Sequence, residues 1–142
     1  MDKHCVSLEL AKQLKEAGWK EPTIYQWSDN YYGVLTFGKP AENFKGEYRI
    51  VDSPVMLDDT EYPAPFATEI LEELPFIITD SENRSYLLTI ERIEGNYWIR
   101  LIAMDNAQRY FGAVDKSFTN ALAKMWLYLR KEGKLNEREK EQ

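Results

Sequence analysis

Tyr86-Leu-Leu-Thr-Ile-Glu-Arg-Ile93 and Tyr97-Trp-Ile-Arg-Leu-Ile-Ala-Met104 are two apolar-rich runs joined by Glu94-Gly95-Asn96. Tyr86, Leu88 and Ile90 share one side of the first run, and Tyr97, Ile99 and Leu101 share one side of the second. A period of two is strand spacing. Gly95 and Asn96 tolerate the positive φ that a tight reversal demands, so these runs read as a long antiparallel hairpin. Just upstream, Phe76-Ile-Ile-Thr79 is expected to add a short neighbouring strand.

Helical signals flank this sheet. Ser117 can cap a helix from about Phe118 to Glu132 that Gly133 terminates, with Phe118, Ala121, Leu122, Met125 and Leu129 as its apolar stripe and Trp126 widening it. At the other end of the chain, Ser7 can cap a helix from about Leu8 to Ala17 on which Val6, Leu10, Leu14 and Ala17 follow helical spacing. Gly18 stands where a left-handed C-terminal cap is expected. A short third helix is predicted from Ala67 to Leu74, because Ala67, Ile70, Leu71 and Leu74 fall on one face and Pro75 stops it. Ile24–Trp27 and Tyr32–Phe37 flank turn chemistry at Ser28-Asp29-Asn30 and read as an aromatic hairpin, with a weaker strand over Tyr48–Val51. Ser53-Pro54 and Tyr62-Pro63-Ala64-Pro65 suit irregular, extended chain. The order predicts an α+β fold: an antiparallel sheet of four to six strands, with N-terminal, short central and C-terminal helices packed on one face. A single domain over residues 1–142 is expected, its charged tail at 135–142 frayed.

Composition narrows the class. The 142 residues are 44% hydrophobic and 13% aromatic, which suits a packed core. With one cysteine, Cys5, no intrachain disulfide forms, and a reducing compartment is expected. No apolar run approaches the roughly 18 residues that span a bilayer. No secretory pattern follows Met1, so a soluble, cytoplasmic protein without membrane attachment is the expectation. The net charge is −6, and its source is local: from Ile50 to Asn83 there are nine carboxylates and no lysine or arginine. The remaining fifteen carboxylates are outnumbered by eighteen basic residues. A field of one sign repels nucleic acid and attracts basic surfaces. Direct nucleic-acid binding is therefore not expected.

Catalytic constellations are scarce. His4 and Cys5 are adjacent and lack further ligands of their kind, and no glycine-rich phosphate loop occurs, so no catalytic residue, metal ligand or cofactor is assigned. Asp58, Asp59 and Glu61 lie in a proline-flanked loop, where carboxylates either stay solvated or hold a divalent cation. A metal-dependent hydrolase built on them is the enzymatic alternative. Glu69, Glu72 and Glu73 share the polar face of the short central helix. With Asp58, Asp59 and Glu61 they are the candidate partner-binding residues, suited to a basic or nucleic-acid-binding protein. The aromatic residues Tyr25, Trp27, Tyr31, Tyr32, Tyr97 and Trp98 lack the interleaved basic residues of a single-strand binder, so packing is their expected role. Leu127 on the last helix leaves open a third class, an oligomerising subunit.

Three segments carry a resemblance: Cys5-Val-Ser-Leu-Glu-Leu-Ala-Lys-Gln-Leu-Lys-Glu-Ala-Gly18, Tyr62-Pro-Ala-Pro-Phe-Ala-Thr-Glu-Ile-Leu-Glu-Glu-Leu-Pro75 and Asn120-Ala-Leu-Ala-Lys-Met-Trp-Leu-Tyr-Leu-Arg-Lys-Glu-Gly133. In order and spacing they resemble a group of small uncharacterised proteins of bacterial phages and prophages. The resemblance implies synthesis inside a bacterial host cell from mobile DNA, and it carries no catalytic residue across. The group often has threonine at the position of Phe66, so this chain departs from its pattern at the start of the central helix.

Overall fold

A computed structural model describes residues 4–21, 23–28, 35–36, 39–40, 49–52, 62–106 and 108–133. These residues form three helices and nine strands, giving the α+β class. The chain divides into two compact units, Met1–Phe66 and Ala67–Gln142.

In the first unit, α1 (Leu8–Glu16) starts as its sequence dictates: Leu10 N–H donates to Ser7 Oγ at 3.3 Å. Its end is a Schellman cap. Gly18, at φ 95°, donates to Lys15 O, and Trp19 N–H donates to Leu14 O at 2.9 Å. Leu10, Ala11 and Leu14 are the buried face, and α1 packs on β5 (Tyr62–Pro63), with the Lys12 and Lys15 ammonium groups 5.6 and 5.1 Å from the Tyr62 ring centroid.

Here the expected aromatic hairpin fails. β1 (Tyr25–Ser28) lies between β4 (Arg49–Asp52) and β5 in a three-stranded sheet, so both its edges are filled. β2 (Leu35–Thr36) pairs instead with β3 (Lys39–Pro40), the segment expected to stop a strand. Turn residues say that a chain reverses; they do not say which strand it will join. Residues 29–34 and 53–61 and the tail at 135–142 lie outside the described residues.

The extended Tyr62–Phe66 segment shows why its prolines are tolerated. Ala64 N–H donates to Tyr25 O at 3.1 Å, which turns Pro63's missing N–H away from β1. On the other side Val6 N–H donates to Pro65 O at 3.3 Å, and Cys5 bridges Phe66. Phe66, where the resembling group often has threonine, packs edge-on against Tyr25 with ring centroids 5.3 Å apart.

The second unit holds a four-stranded antiparallel sheet, β6 (Ile77–Thr79), β7 (Ser85–Ile93), β8 (Asn96–Ala103) and β9 (Arg109–Asp115), in that spatial order. The β7–β8 hairpin has the register its pattern predicts, with Leu88 opposite Leu101 and Ile90 opposite Ile99. Its turn differs in one residue. The positive φ values belong to Glu94 (52°) and Gly95 (83°), while Asn96 already belongs to β8 opposite Ile93. A two-residue turn with both centres left-handed matches strand twist better than a longer loop.

α3 (Phe118–Lys131) packs on β8 and β9. Asn120 N–H donates to Ser117 Oγ, and Ala121, Leu122, Met125, Trp126 and Leu129 are buried. Phe118 sits beside Tyr97 with ring centroids 5.2 Å apart, and Tyr128 stacks on Phe111 at 3.6 Å. α2 (Ala67–Glu73) packs against α3, burying Ile70; Leu74 N–H closes its last turn on Leu71 O before Pro75.

Candidate functional site

The acidic tract does not behave as one group. Asp58, Asp59 and Glu61 lie outside the described residues. Glu69, Glu72 and Glu73 all ride on α2; Glu72 is exposed, and Glu69 and Glu73 are half-buried. None of the three is without an interaction in the chain.

Asp80 has been drawn inward. Its Oδ1 accepts the Glu82 and Arg84 N–H groups, each at 2.9 Å, and its Oδ2 accepts the Tyr86 hydroxyl at 3.2 Å. The main chain closes the same loop, with Asp80 N–H donating to Arg84 O and Asn83 N–H to Asp80 O. Asn83 takes the left-handed conformation at φ 63°, which asparagine tolerates. This carboxylate therefore builds the β6–β7 reversal and is spent locally. Glu82, on the same turn, is exposed.

Between the acids lies apolar surface that composition did not reveal. Leu71, Glu72, Leu74, Pro75 and Phe76 line an open cleft of about 630 Å³ at the C-terminal end of α2. Phe76 is 61% exposed and Ile77, the first residue of β6, 55%. The register sets Ile77 beside Leu87, which is also exposed. Ile78 is one residue away but faces the opposite side and is buried. The sequence signal for this surface was Pro75 followed by a short apolar run: a proline stop, then a strand too brief to be covered.

The remaining chemistry is committed to packing. Arg100, only 7% exposed at its side chain, donates from Nη1 to Glu91 Oε1 at 3.1 Å and lies 4.6 Å from the Trp98 ring. Arg92 stands 5.4 Å from the Tyr97 ring, and Trp27 Nε1 donates to Val6 O at 2.9 Å. Tyr25, Trp27, Tyr97 and Trp98 thus have partners within the chain, while Tyr31 and Tyr32 lie outside the described residues. Cys5 is buried while His4 is exposed. Among the described residues no three histidine, cysteine or acidic side chains converge as metal ligands. No helix among them is long and apolar enough to cross a membrane.

The chain matches no protein-family profile, no curated protein and no solved structure.

Proposed function

We propose that this chain is a non-enzymatic accessory protein of phage type that acts inside a bacterial cell by binding another protein through an acidic surface. One observation carries this reading: exposed Glu72 lines an open cleft beside uncovered Phe76 and Ile77. The stretch of sequence that holds it, from Ile50 to Asn83, has nine carboxylates and no lysine or arginine. Apolar area supplies affinity, and the acids select a basic partner, such as a nucleic-acid-binding protein.

The test is retention of host proteins on the immobilised full chain, with a salt gradient. Basic proteins should be held at low salt and released as screening shortens the reach of surface charge. Glu72→Lys combined with Glu82→Lys, both at exposed positions, should abolish that salt-sensitive fraction. If the double variant retains the same proteins, or if retention is indifferent to salt, the acidic surface is not the recognition element.

A further inference from the structure

Residues of an antiparallel strand alternate between those bonded to one neighbour and those pointing to the other side. In β6 the phase is fixed by two bonds: Leu88 N–H donates to Phe76 O at 2.8 Å, and Asp80 N–H donates to Arg84 O at 2.9 Å. Phe76, Ile78 and Asp80 therefore face β7. Ile77 and Thr79 aim their N–H and C=O groups outward, along an edge where the described residues provide no partner. The other edge of this sheet is treated differently. Val114 points outward from β9, and its carbonyl accepts the Lys124 ammonium at 3.0 Å, while that ammonium also pairs with Asp115. Among the described residues, one edge carries a charged guard and none is seen on the other.

We propose that the β6 edge receives a basic, extended segment of a partner protein, which joins the sheet as a fifth strand. The proposal rests on the protein-binding reading above and gives it a mode. Outward N–H and C=O groups at Ile77 and Thr79 supply the main-chain bonds of strand addition. Side chains of the added strand alternate between faces. Those on one face meet Ile77 and Leu87; those on the other meet Phe76 at the lip of the cleft with Leu71 and Pro75. Charge selects the occupant. Glu72 and Glu82 are exposed at either end of this region, and a second copy would bring the same acids and a further −6. A lysine-bearing segment is drawn to these acids, and the one base of the adjoining turn, Arg84, lies 3.7 Å from Asp105. The edge offers four main-chain bonds, so a modest affinity and fast exchange are expected.

The probe is an end-blocked, fluorescein-labelled octapeptide alternating lysine and valine, titrated with the full chain and followed by fluorescence anisotropy. Saturable binding that weakens with salt is expected. The same peptide with every backbone nitrogen methylated keeps its charge and side chains but has no main-chain N–H donors, and it should bind roughly tenfold more weakly or worse. Ile77→Pro and Thr79→Pro each delete an outward N–H without touching the β6–β7 ladder. They should weaken the unmethylated peptide similarly, with the circular dichroism spectrum unchanged. Equal binding of the methylated peptide overturns strand addition. If Glu72→Lys with Glu82→Lys then abolishes binding of both peptides, the acidic surface survives and the edge does not. Absence of any binding by the lysine–valine peptide also removes the edge as a basic-segment site. Should the proline variants fail to fold, the methylation comparison on the unaltered chain decides. A concentration-dependent dimer that Ile77→Pro dissolves would assign the edge to a second copy and overturn the occupant proposed here.

Discussion

Replacing Asp80 tests whether an acidic residue counted as surface charge is in truth part of the scaffold. Asp80→Ala removes the carboxylate that accepts two main-chain N–H groups at 2.9 Å and the Tyr86 hydroxyl at 3.2 Å. The Glu82 N–H lies at an exposed site where water replaces the lost acceptor, so its share is about 0.5 kcal/mol. The Arg84 N–H and the hydroxyl of Tyr86 are partly buried and contribute about 1 kcal/mol each. The expected loss is therefore about 2–3 kcal/mol by urea denaturation. Asp80→Asn keeps an oxygen for the two N–H groups and offers its amide to the Tyr86 oxygen, so it should cost only about 1 kcal/mol. Hydrogen exchange gives a local readout: the Glu82 and Arg84 amides should lose protection in Asp80→Ala and keep most of it in Asp80→Asn. Neither variant should change salt-sensitive retention of basic proteins as strongly as the Glu72 and Glu82 reversals do, because the Asp80 charge is turned into the loop. A stability change of Asp80→Ala below about 0.5 kcal/mol, with both amides exchanging as before, would refute the structural role assigned to it.

Glu94 sits at φ 52° in the β7–β8 turn, where asparagine is at ease and glutamate is not; Glu94→Asn should raise stability by about 0.5–1 kcal/mol in thermal or chemical melts. Leu122 is fully buried on α3, and Leu122→Ala should cost about 3 kcal/mol, read from the urea midpoint at unchanged slope. Glu91→Gln removes the formal counter-charge of nearly buried Arg100; because Glu91 itself is 41% exposed, the loss should be near 1 kcal/mol and should shrink in high salt.

How much of this was legible in the sequence depended on the range of the interaction that decides each element. α1 and α3 were readable because their signals are local: an apolar stripe, a serine cap and a glycine one step past the end, all within a few residues. The β7–β8 hairpin was readable for the same reason, and its one error, placing Asn96 in the turn, came from asking which residues tolerate positive φ before asking which pairing the strands prefer. β1 is legible as a strand, but its pairing is not, because its partners lie more than twenty residues away, at Ile50 and Pro63, and nothing beside Trp27 reports them. β9 passed unnoticed because Gly112 interrupts its pattern. In the sheet that glycine lies opposite Arg100, and a Cβ built there would make only ordinary van der Waals contacts, 3.6 Å from Arg100 Cγ and 3.7 Å from the Trp98 ring, so space does not require glycine there. The site shows the same division. Counting acids found the tract, but a count cannot separate a carboxylate facing solvent, as at Glu72 and Glu82, from one consumed by a turn, as at Asp80.

The two edges of the four-stranded sheet connect this charge pattern to the fold. An unguarded strand edge is a hazard to any protein, and charged side chains near it are a common defence. At β9 the defence is a lysine lying across the outward carbonyl of Val114. At β6 the next base in sequence, Arg84, lies 3.7 Å from Asp105, and among the described residues no base is seen on the outward carbonyls of Ile77 and Thr79. The exposed acids near β6 are Glu72 and Glu82, and acid guards an edge in a different way. It leaves the backbone groups uncovered, repels every copy of the same chain, and admits a segment of opposite sign. A uniform excess of negative charge over the molecule would keep copies apart equally well. On the proposed reading, acids held beside an open edge would both oppose self-pairing and favour a basic partner, so the placement of Glu72 and Glu82 matters more than the total charge.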